Sequence, residues 1–171
     1  MKLFYERRKY AILTLCVFCA NYFFDRLTKF IAFNYLKGKG PLGFLGNTII
    51  LIYVENTGAF FNLGSNWNLY IKYFTFIIAP LIACMTGLIY LIFREKKIFR
   101  IITGSCIIGG GAGNLFDRFF NEFKVIDFIN FGIENKRTGV LNTADISVTF
   151  GVIFLFIYEM NKRPKMPHCS A

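Results

Sequence analysis

The sequence predicts an α-helical membrane protein with four transmembrane helices and both termini in the cytoplasm. Of its 171 residues, 55 % are hydrophobic and 22 are phenylalanine. A soluble domain of this length has no interior large enough to bury so much apolar surface, so lipid is the expected solvent. Two further observations predict this fold class: four apolar segments divide the chain, and basic residues cluster between them.

The first apolar segment predicts a helix at about residues 10–33. It is uncharged until Asp25, Arg26 and Lys29 interrupt its second half. A basic start followed by an apolar run is also typical of a signal peptide. No convincing cleavage site precedes the first charges and three further spans follow, so we expect this helix to be retained.

The second apolar segment predicts a helix at about residues 70–93. Within it, the twenty-one residues 73–93 carry no charge. At a rise of about 1.5 Å per residue, such a run crosses a hydrocarbon core of about 30 Å. Pro80 lies inside it, and we expect a kink there that neighbouring helices can accommodate.

The third and fourth apolar segments predict helices at about residues 98–117 and 140–159. The third is rich in small residues and ends at Asp117, whereas the fourth carries Asp145 near its start. All four helices are expected to belong to one domain that covers residues 1–171.

The basic residues predict the orientation of these helices. Eleven of the twenty lysines and arginines lie in three clusters, at residues 1–9, 94–100 and 161–165. Cytoplasmic loops of membrane proteins carry such an excess of positive charge, and four spans place all three clusters on one side. The outer segments are then about 34–69 and 118–139, and every aspartate falls in the outer half of the protein.

The first outer segment is not a simple loop. Residues 41–54 are mostly apolar and rich in β-branched side chains. They are too few to cross a bilayer as a helix, so we expect extended structure or an element resting on the membrane surface.

The composition argues against nucleic-acid and metal binding. The net charge of +10 is divided among separate clusters, whereas nucleic-acid binding requires basic residues gathered on one face. The five cysteines show no metal-ligand spacing, and the only histidine, His168, lies near the C-terminus beside Cys169. We therefore expect no metal and no disulfide framework.

The glycines of residues 109–113 could suggest a phosphate-binding loop. Their spacing matches neither the dinucleotide-binding pattern nor the P-loop, and no Lys-Ser or Lys-Thr pair follows. Small residues at helical spacing more often permit close packing of membrane helices. We expect that packing role here, which would bring Asn114 and Asp117 close to neighbouring helices.

Two of the four aspartates have neighbours that suggest a structural role. Asp25 and Lys29 stand at positions i and i+4 of a helix, where their charges can neutralise each other. Asp117 precedes Arg118 and follows Asn114 by three residues, which indicates a local hydrogen-bonded network at a helix end. Buried charges are usually paired, so neither aspartate requires a catalytic role.

Asp127 and Asp145 have no such charged neighbours. If the second outer segment folds back onto the membrane surface, Asp127 can approach the outer end of the fourth helix. Two carboxylates brought together share a proton, and such a pair can hydrolyse a peptide bond through general acid and base catalysis. Alternatively each aspartate caps a helix, as Asp145 would in the first turn of the fourth helix. Spacing alone leaves both possibilities open.

Five short blocks of the sequence resemble, in order, those of the lipoprotein signal peptidases of bacteria, also called type II signal peptidases. The blocks are "FFDRLTKF", "VENTGAFFNLG", "GGGAGNLFDR", "VIDF" and "NTADISV". The resemblance covers nearly the whole chain. A departure is Leu141, where the family usually has an aromatic residue, and the segment "NKRPKMPHCSA" matches nothing specific in the family.

The resemblance implies an aspartic peptidase that removes signal peptides from diacylglyceryl-modified prolipoproteins, cutting just before the lipidated cysteine. Asp127 and Asp145 match the catalytic pair. The matched substrate-binding positions are Asn56, Gly110, Asn114, Arg118, Asn142 and Ala144. Asp25, Lys29 and Asp117 match positions of structural support. The implied fold adds an extracytoplasmic β-rich cradle and a short helical arm to the four helices.

The resemblance also implies the partners and the location of the protein. We expect a prolipoprotein substrate, contact with membrane lipids, no cofactor and a monomer. The expected location is the bacterial cytoplasmic membrane, with the active site toward the outer face. The main alternative is a small proton-coupled transporter, because intramembrane carboxylates also relay protons. An assembly protein whose aspartates merely cap helices is a third possibility.

Overall fold

Four long helices account for most of the chain in a computed structural model that describes residues 2–59 and 62–161. They are α1 (Lys2–Leu36), a composite second helix, α4 (Ile98–Phe120) and α5 (Thr143–Met160). All four are long and apolar enough to cross a membrane, which confirms the predicted number of spans. His168 and Cys169 lie outside the described residues.

The composite second helix contains a short change of helical pitch. It consists of α2 (Leu69–Tyr73), a π-helical turn (Phe74–Ile78) and α3 (Ala79–Phe93). Pro80 lies in the first turn of α3. Because a proline ring clashes with the carbonyl four residues earlier and removes a hydrogen-bond donor, regular α-helical bonding is difficult just before it. The irregularity expected at Pro80 is therefore a π-helical turn rather than a simple bend.

The fourth span begins later than its apolar pattern suggests. Val140 and Leu141 belong to a β-strand, and α5 starts at Thr143 because Asn142 caps it. The side chain of Asn142 accepts a hydrogen bond of 2.8 Å from the backbone N–H of Asp145. Such a cap fixes the first turn of a helix, so the predicted start at residue 140 is corrected by three residues.

The helix α4 is the centre of the bundle and packs against α1, α3 and α5. Its glycines make these contacts close, as the small residues at 109–113 predicted. A methyl group on Gly110 would lie 2.8 Å from the carbonyl oxygen of Ala144 in α5, and one on Gly113 would collide with the carboxylate of Asp25 in α1. Larger residues at these positions would force the helices apart.

A four-stranded antiparallel sheet lies at one end of the bundle. Its strands are β1 (Leu42–Phe44), β2 (Ile49–Asn56), β3 (Val125–Ile133) and β4 (Lys136–Leu141), in that spatial order. Strands β1 and β2 come from the first outer segment, as its β-branched composition predicted, and the hairpin of β3 and β4 forms the second. The sheet thus provides the predicted β-rich cradle.

The sheet rests on the C-terminal end of α1. A small core of Ala32, Leu36, Ile126 and Phe128 joins them. Between β2 and α2, residues 57–59 and 62–68 form bends and turns, and Phe60 and Phe61 lie outside the described residues. The helical arm stays a prediction. The sheet covers the end of the bundle at which α1 and α4 end and α5 begins.

Candidate active site

Asp127 lies in β3 with only 2 % of its surface exposed. It stands opposite Val54 of β2, directly after an irregularity in the register of the two strands. Such irregularities re-aim side chains and are common beside active sites. The carboxylate accepts two amide hydrogen bonds, of 2.9 Å from Nδ2 of Asn56 and 2.6 Å from Nδ2 of Asn142.

Asp145 lies in the first turn of α5, where it completes a reciprocal cap with Asn142. Its Oδ2 accepts a hydrogen bond of 3.3 Å from the backbone N–H of Asn142. Its Oδ1 accepts a second of 2.8 Å from Nδ2 of Asn114 in α4. Asp145 therefore caps α5, as one of the two alternatives predicted, but only its Oδ2 takes part in the cap. Its Oδ1 faces Asn114 of α4.

Asn142 connects the two aspartates. It is completely buried, and its Nδ2 donates to Oδ1 of Asp127 while its backbone N–H donates to Asp145. The same Nδ2 also donates a 3.1 Å hydrogen bond to Oδ1 of Asn114. The capping residue of α5 thus holds a carboxylate from the sheet and a carboxylate from the helix in one network.

The orientation of the Asn114 amide is set by Lys29. Nζ of Lys29 donates a 2.8 Å hydrogen bond to Oδ1 of Asn114. An ammonium group is only a donor, so it selects the carbonyl oxygen of an amide. The Nδ2 of Asn114 is then directed toward Asp145. Lys29 therefore acts on Asp145 through an intervening amide rather than as its ion-pair partner.

A second group of charges lies beside these aspartates and consists of Asp25, Arg26, Lys29 and Asp117, here called the support cluster. Nζ of Lys29 is 2.9 Å from Oδ2 of Asp25 and 2.9 Å from Oδ2 of Asp117. Arg26 forms a further ion pair with Asp117. The i, i+4 pair of Asp25 and Lys29 is thus present as predicted.

The local network predicted for Asp117 has different partners. Asp117 is bound by Arg26 and Lys29 of α1, whereas Arg118 donates to the carbonyl oxygens of Gly58 at 2.6 Å and Phe123 at 3.3 Å. Neighbouring residues on a helix point in directions about 100° apart, which separates the two side chains.

Asp25 also ties α1 to the start of α5. Its Oδ1 accepts hydrogen bonds of 2.9 Å from the hydroxyl of Thr143 and 2.9 Å from the backbone N–H of Ala144. A carboxylate at a helix N-terminus satisfies free N–H groups and complements the helix dipole. The support cluster thereby fixes the turn of α5 that carries Asp145.

Burial and mutual repulsion change the acidity of the site. The pKa of Asp127 is raised from its ordinary value of 3.8 to about 6, first by burial and second by the charge of Asp145. The amide hydrogen bonds from Asn56 and Asn142, and the charge of Lys29, oppose this rise in pKa. At mildly acidic to neutral pH, the two aspartates can therefore hold a single proton between them.

Both aspartates line a cavity of about 250 Å³, here called the helix-side cavity. Its apolar wall comes mainly from the membrane helices and includes Phe76, Pro80, Leu115 and Val148. Its polar wall consists of Asn56, Asn114 and Arg118 together with the two aspartates. The guanidinium of Arg118 lies 4.5 Å from the centre of the Phe76 ring, which joins the two walls.

The structure brings most of the predicted site residues together. Asn56, Asn114, Asn142, Asp127 and Asp145 form one hydrogen-bonded network, and Arg118 lines the same cavity. Three predicted substrate-binding residues lie outside the lining of the cavity. Asn142 is completely buried within the network, and Gly110 and Ala144 are buried against each other where α4 meets α5.

Several lining residues had no signal in the sequence. Phe76, Pro80 and Val140 contact the cavity but look like ordinary apolar residues of a span or strand. Phe76 belongs to the π-helical turn and Val140 to strand β4, and neither element could be predicted from the sequence.

Paired carboxylates with opposite protonation states can activate water for attack on an amide, which is the chemistry of aspartic peptidases. Here the pair lies where strands meet helices that can cross a membrane. The fold and the site define a membrane-bound aspartic peptidase.

Comparison with known proteins specifies the family. The sequence model of the family Signal peptidase (SPase) II matches residues 17–161. The lipoprotein signal peptidase of Borrelia turicatae is 34 % identical over 143 residues, which cover 81 % of this chain and 84 % of the relative. That of Borreliella burgdorferi is 33 % identical over 144 residues, covering 80 % and 83 %. The chain belongs to the signal peptidase II family.

Solved structures share the fold. A bacterial membrane enzyme determined by the in meso method at 2.3 Å resolution superposes with a TM-score of 0.76 at 25 % identity, covering 90 % of this chain and 93 % of that one. A second, determined at 1.9 Å resolution, gives a TM-score of 0.72 at 23 % identity and covers 88 % and 94 %. Together with the four spans, the family makes this a multi-pass bacterial membrane protein.

Proposed function

We propose that the chain removes the signal peptide from diacylglyceryl-modified prolipoproteins by cutting just before the lipidated cysteine, with Asp127 and Asp145 as the catalytic pair. The observation that carries this proposal is the contrast in partners. The carboxylates of the pair accept hydrogen bonds only from amide groups among the described residues, whereas those of the support cluster bind Lys29 and Arg26. Carboxylates held by neutral donors remain free to exchange protons.

The proposed reaction uses one proton shared by the pair. The ionised carboxylate removes a proton from a water molecule, whose oxygen attacks the carbonyl carbon of the scissile amide. The protonated carboxyl group donates its proton as charge develops on the carbonyl oxygen. As the tetrahedral intermediate collapses, one of its hydroxyl groups returns a proton to the now ionised carboxylate and the C–N bond breaks. The leaving amine takes the proton that the other carboxylate had removed from water. The apolar wall of the cavity strengthens these electrostatic interactions because it excludes bulk water.

The neighbouring residues have proposed supporting roles. Asn56 and Asn114 orient the carboxylates and the substrate, whereas the buried Asn142 orients the carboxylates alone. Arg118 positions the substrate against the residues around Gly58. Asp25, Lys29 and Asp117 hold the first turn of α5 and the amide of Asn114 in place. We propose that Gly110 and Ala144 contribute by bringing α4 and α5 close together rather than by contacting substrate.

The proposed orientation follows from charge. The sheet and the aspartates lie at the end of the bundle opposite the basic segments 2–9 and 94–100. The positive-inside rule then supports a site facing the outer side of the cytoplasmic membrane, with both termini in the cytoplasm. A single chain forms one peptidase domain there. A lipid-anchored substrate reaches the site by moving sideways within the bilayer.

The test is cleavage of a diacylglyceryl-modified precursor peptide by the purified protein in lipid. The wild type is expected to cut immediately before the modified cysteine. Asp127→Asn and Asp145→Asn each remove a proton-transfer group, so each lowers the rate by at least about 10³-fold. Lys37→Met serves as a control, because Lys37 pairs with Glu55 at the surface of the sheet.

Full cleavage by both aspartate variants would overturn the assignment of the pair. If the wild type cleaved nothing but dissipated a proton gradient across liposomes, the transporter function would replace the peptidase function. The same purified protein serves both measurements.

A further inference from the structure

A second cavity lies on the other side of Asp127, and its chemistry differs from that of the helix-side cavity. This polar chamber has a volume of about 310 Å³ and is formed by strands β2 to β4 and the segment after β2. Glu55, Thr57 and Asn62 line it, together with Gly139 of β4. Among the described residues, its lining comes from the strands and from Thr57 and Asn62, with none from the membrane helices that supply the apolar wall of the helix-side cavity.

The two cavities meet at the catalytic carboxylate. Asn56, Asp127 and Val140 line both of them. Asp127 therefore lies between the mainly apolar helix-side cavity and the polar chamber. Asn56 lies between them as well, where its side chain holds Oδ2 of Asp127 at 2.9 Å.

A signal-peptide substrate has the same division of polarity. The segment before the cleaved bond is apolar and belongs in the membrane, whereas the mature chain after it enters water. An extended peptide passing Asp127 from one cavity to the other would place its apolar part among Phe76, Leu115 and Val148. Its following residues would enter the polar chamber.

On this basis we propose that the polar chamber binds the first residues of the mature chain, immediately beyond the lipidated cysteine. The proposal rests on the proposed peptidase function and adds a subsite to it. The ligand class is a polar, extended peptide segment rather than a lipid or an ion.

Two side chains of the chamber can bind a peptide backbone. Oγ1 of Thr57 and Oδ1 of Asn62 are 3.5 Å apart, a distance at the limit of hydrogen bonding. Because this contact is weak, both groups can exchange it for the N–H and C=O groups of a substrate.

Glu55, another polar side chain of the chamber, is already engaged. Glu55 accepts hydrogen bonds of 3.2 Å from Lys37 and 3.0 Å from Tyr53, and these bonds lower the pKa of its carboxyl group. Glu55 therefore stays ionised as part of a surface ion pair. Thr57 and Asn62 remain as the residues that recognise the substrate.

The experiment compares two substrates with the same signal segment and the same diacylglyceryl-cysteine. The short substrate ends in a carboxamide directly after the cysteine, and the long substrate continues with several polar residues. Thr57→Val and Asn62→Leu are expected to raise KM for the long substrate about threefold to tenfold, as for the loss of a hydrogen bond. Their kinetics with the short substrate should stay within twofold of the wild type.

Thr86→Val is the matched control. Thr86 is an exposed residue of α3 whose hydroxyl bonds to the carbonyl oxygen of Ile82 at 2.7 Å, so both substrates should be cleaved as by the wild type. Equal effects of Thr57→Val on both substrates, or no effect on either, would overturn the subsite. Failure of the wild type to cut either substrate would instead contradict the peptidase function itself.

A second measurement does not depend on the folding of the chamber variants. The long substrate is synthesised with a photo-crosslinking side chain two residues after the cysteine and bound to Asp127→Asn, which retains the chamber. Crosslinks are expected within residues 54–62 or at Gly139 and Val140. Crosslinks confined to α3 or α5 would place the mature segment elsewhere and overturn the proposal.

Discussion

The proposed catalytic pair, Asp127 and Asp145, and the support cluster both contain buried carboxylates, but these carboxylates have different partners. Asp25, Asp117 and Asp127 have exposures of 1 %, 2 % and 2 %, so burial does not distinguish them. Their partners do: cations hold Asp25 and Asp117, while amide groups hold Asp127. A carboxylate that faces neutral amides and another carboxylate can take up and release a proton.

The two regions are connected through Lys29. Its ammonium group has three donors, and three acceptors surround it: Asp25, Asp117 and Asn114. Two of these are charges of the support cluster, and the third is the amide that orients Asp145. The cluster thus holds the geometry of the pair, and its cation acts on Asp145 through the amide of Asn114 rather than through a direct ion pair.

The largest expected effect is on stability and comes from Lys29→Met. Removal of the buried ammonium leaves Asp25 without a cation and Asp117 with Arg26 alone, and breaking such a buried pair costs about 3–5 kcal/mol of unfolding free energy. Chemical unfolding in micelles measures it. Lys37→Met is the control, because Lys37 is 48 % exposed and its pair with Glu55 is worth at most about 1 kcal/mol. Equal losses from the two variants would remove the distinction between the regions.

The second prediction concerns how the contribution of Asp127 to the free energy of unfolding changes with pH. The pKa of Asp127 is about 6 in the folded protein against 3.8 ordinarily. The folded chain therefore holds this proton more tightly, so the contribution to stability is complete below pH 3.8 and is lost as the pH rises through 6. A rise in pKa from 3.8 to about 6 corresponds to about 3 kcal/mol.

This difference appears when Asp127→Asn is compared with the wild type at pH 3.5 and pH 8. The wild type loses up to about 3 kcal/mol of unfolding free energy as the pH rises from 3.5 to 8, because Asp127 ionises. The variant lacks this loss, so its stability relative to the wild type should rise by that amount. Asp117→Asn should instead destabilise the protein at pH 8, because Arg26 and Lys29 lose a partner. Parallel behaviour of the two variants would show that both carboxylates serve the same purpose.

The third prediction concerns the pH dependence of cleavage. Because the reaction needs a protonated carboxyl group, kcat/KM of the free enzyme should fall as the pH rises through about 6. Asn56→Leu removes a hydrogen bond that favours the ionised form of Asp127, so this falling limb should move to higher pH, by up to about one unit. A limb unchanged in Asn56→Leu would separate the observed titration from Asp127.

The smallest expected effect comes from a contact deeper in the bundle. Nδ2 of Asn21 in α1 donates a 2.7 Å hydrogen bond to the hydroxyl of Ser147, which donates to the carbonyl oxygen of Cys106 at 3.1 Å. Hydrogen bonds between membrane helices average about 0.6 kcal/mol. Asn21→Ala and Ser147→Ala should each lose about that much, and the double variant should lose less than their sum. Additive losses would show that the two side chains do not interact.

The sequence predicts those parts of the fold that depend on neighbouring residues. Long uncharged runs predict the four spans, and the i, i+4 spacing of Asp25 and Lys29 predicts their ion pair. The β-branched residues of the first outer segment predict extended structure. Each inference needs only the local chain and the thickness of a bilayer.

Contacts between distant elements were not predictable in this way. Asp117 was expected to interact with its neighbour Arg118, but the cations that bind it come from α1. The helix α1 approaches α4 closely at Gly113 of α4. The residues alone also left open whether Asp145 caps a helix or belongs to a pair. One oxygen of Asp145 caps α5 and the other binds Asn114. Residue spacing alone cannot predict that both occur together.

Asn142 has a consequence for inhibitor design. Serine or aspartate could begin α5 equally well, but neither has an amide N–H₂ group to bind Asp127 and Asn114 at the same time. Few substitutions can preserve both functions. A compound that binds Asp127 and Asn114 in the helix-side cavity would therefore meet little resistance from changes at Asn142, since most substitutions there would also disturb the two groups that the proposed reaction needs.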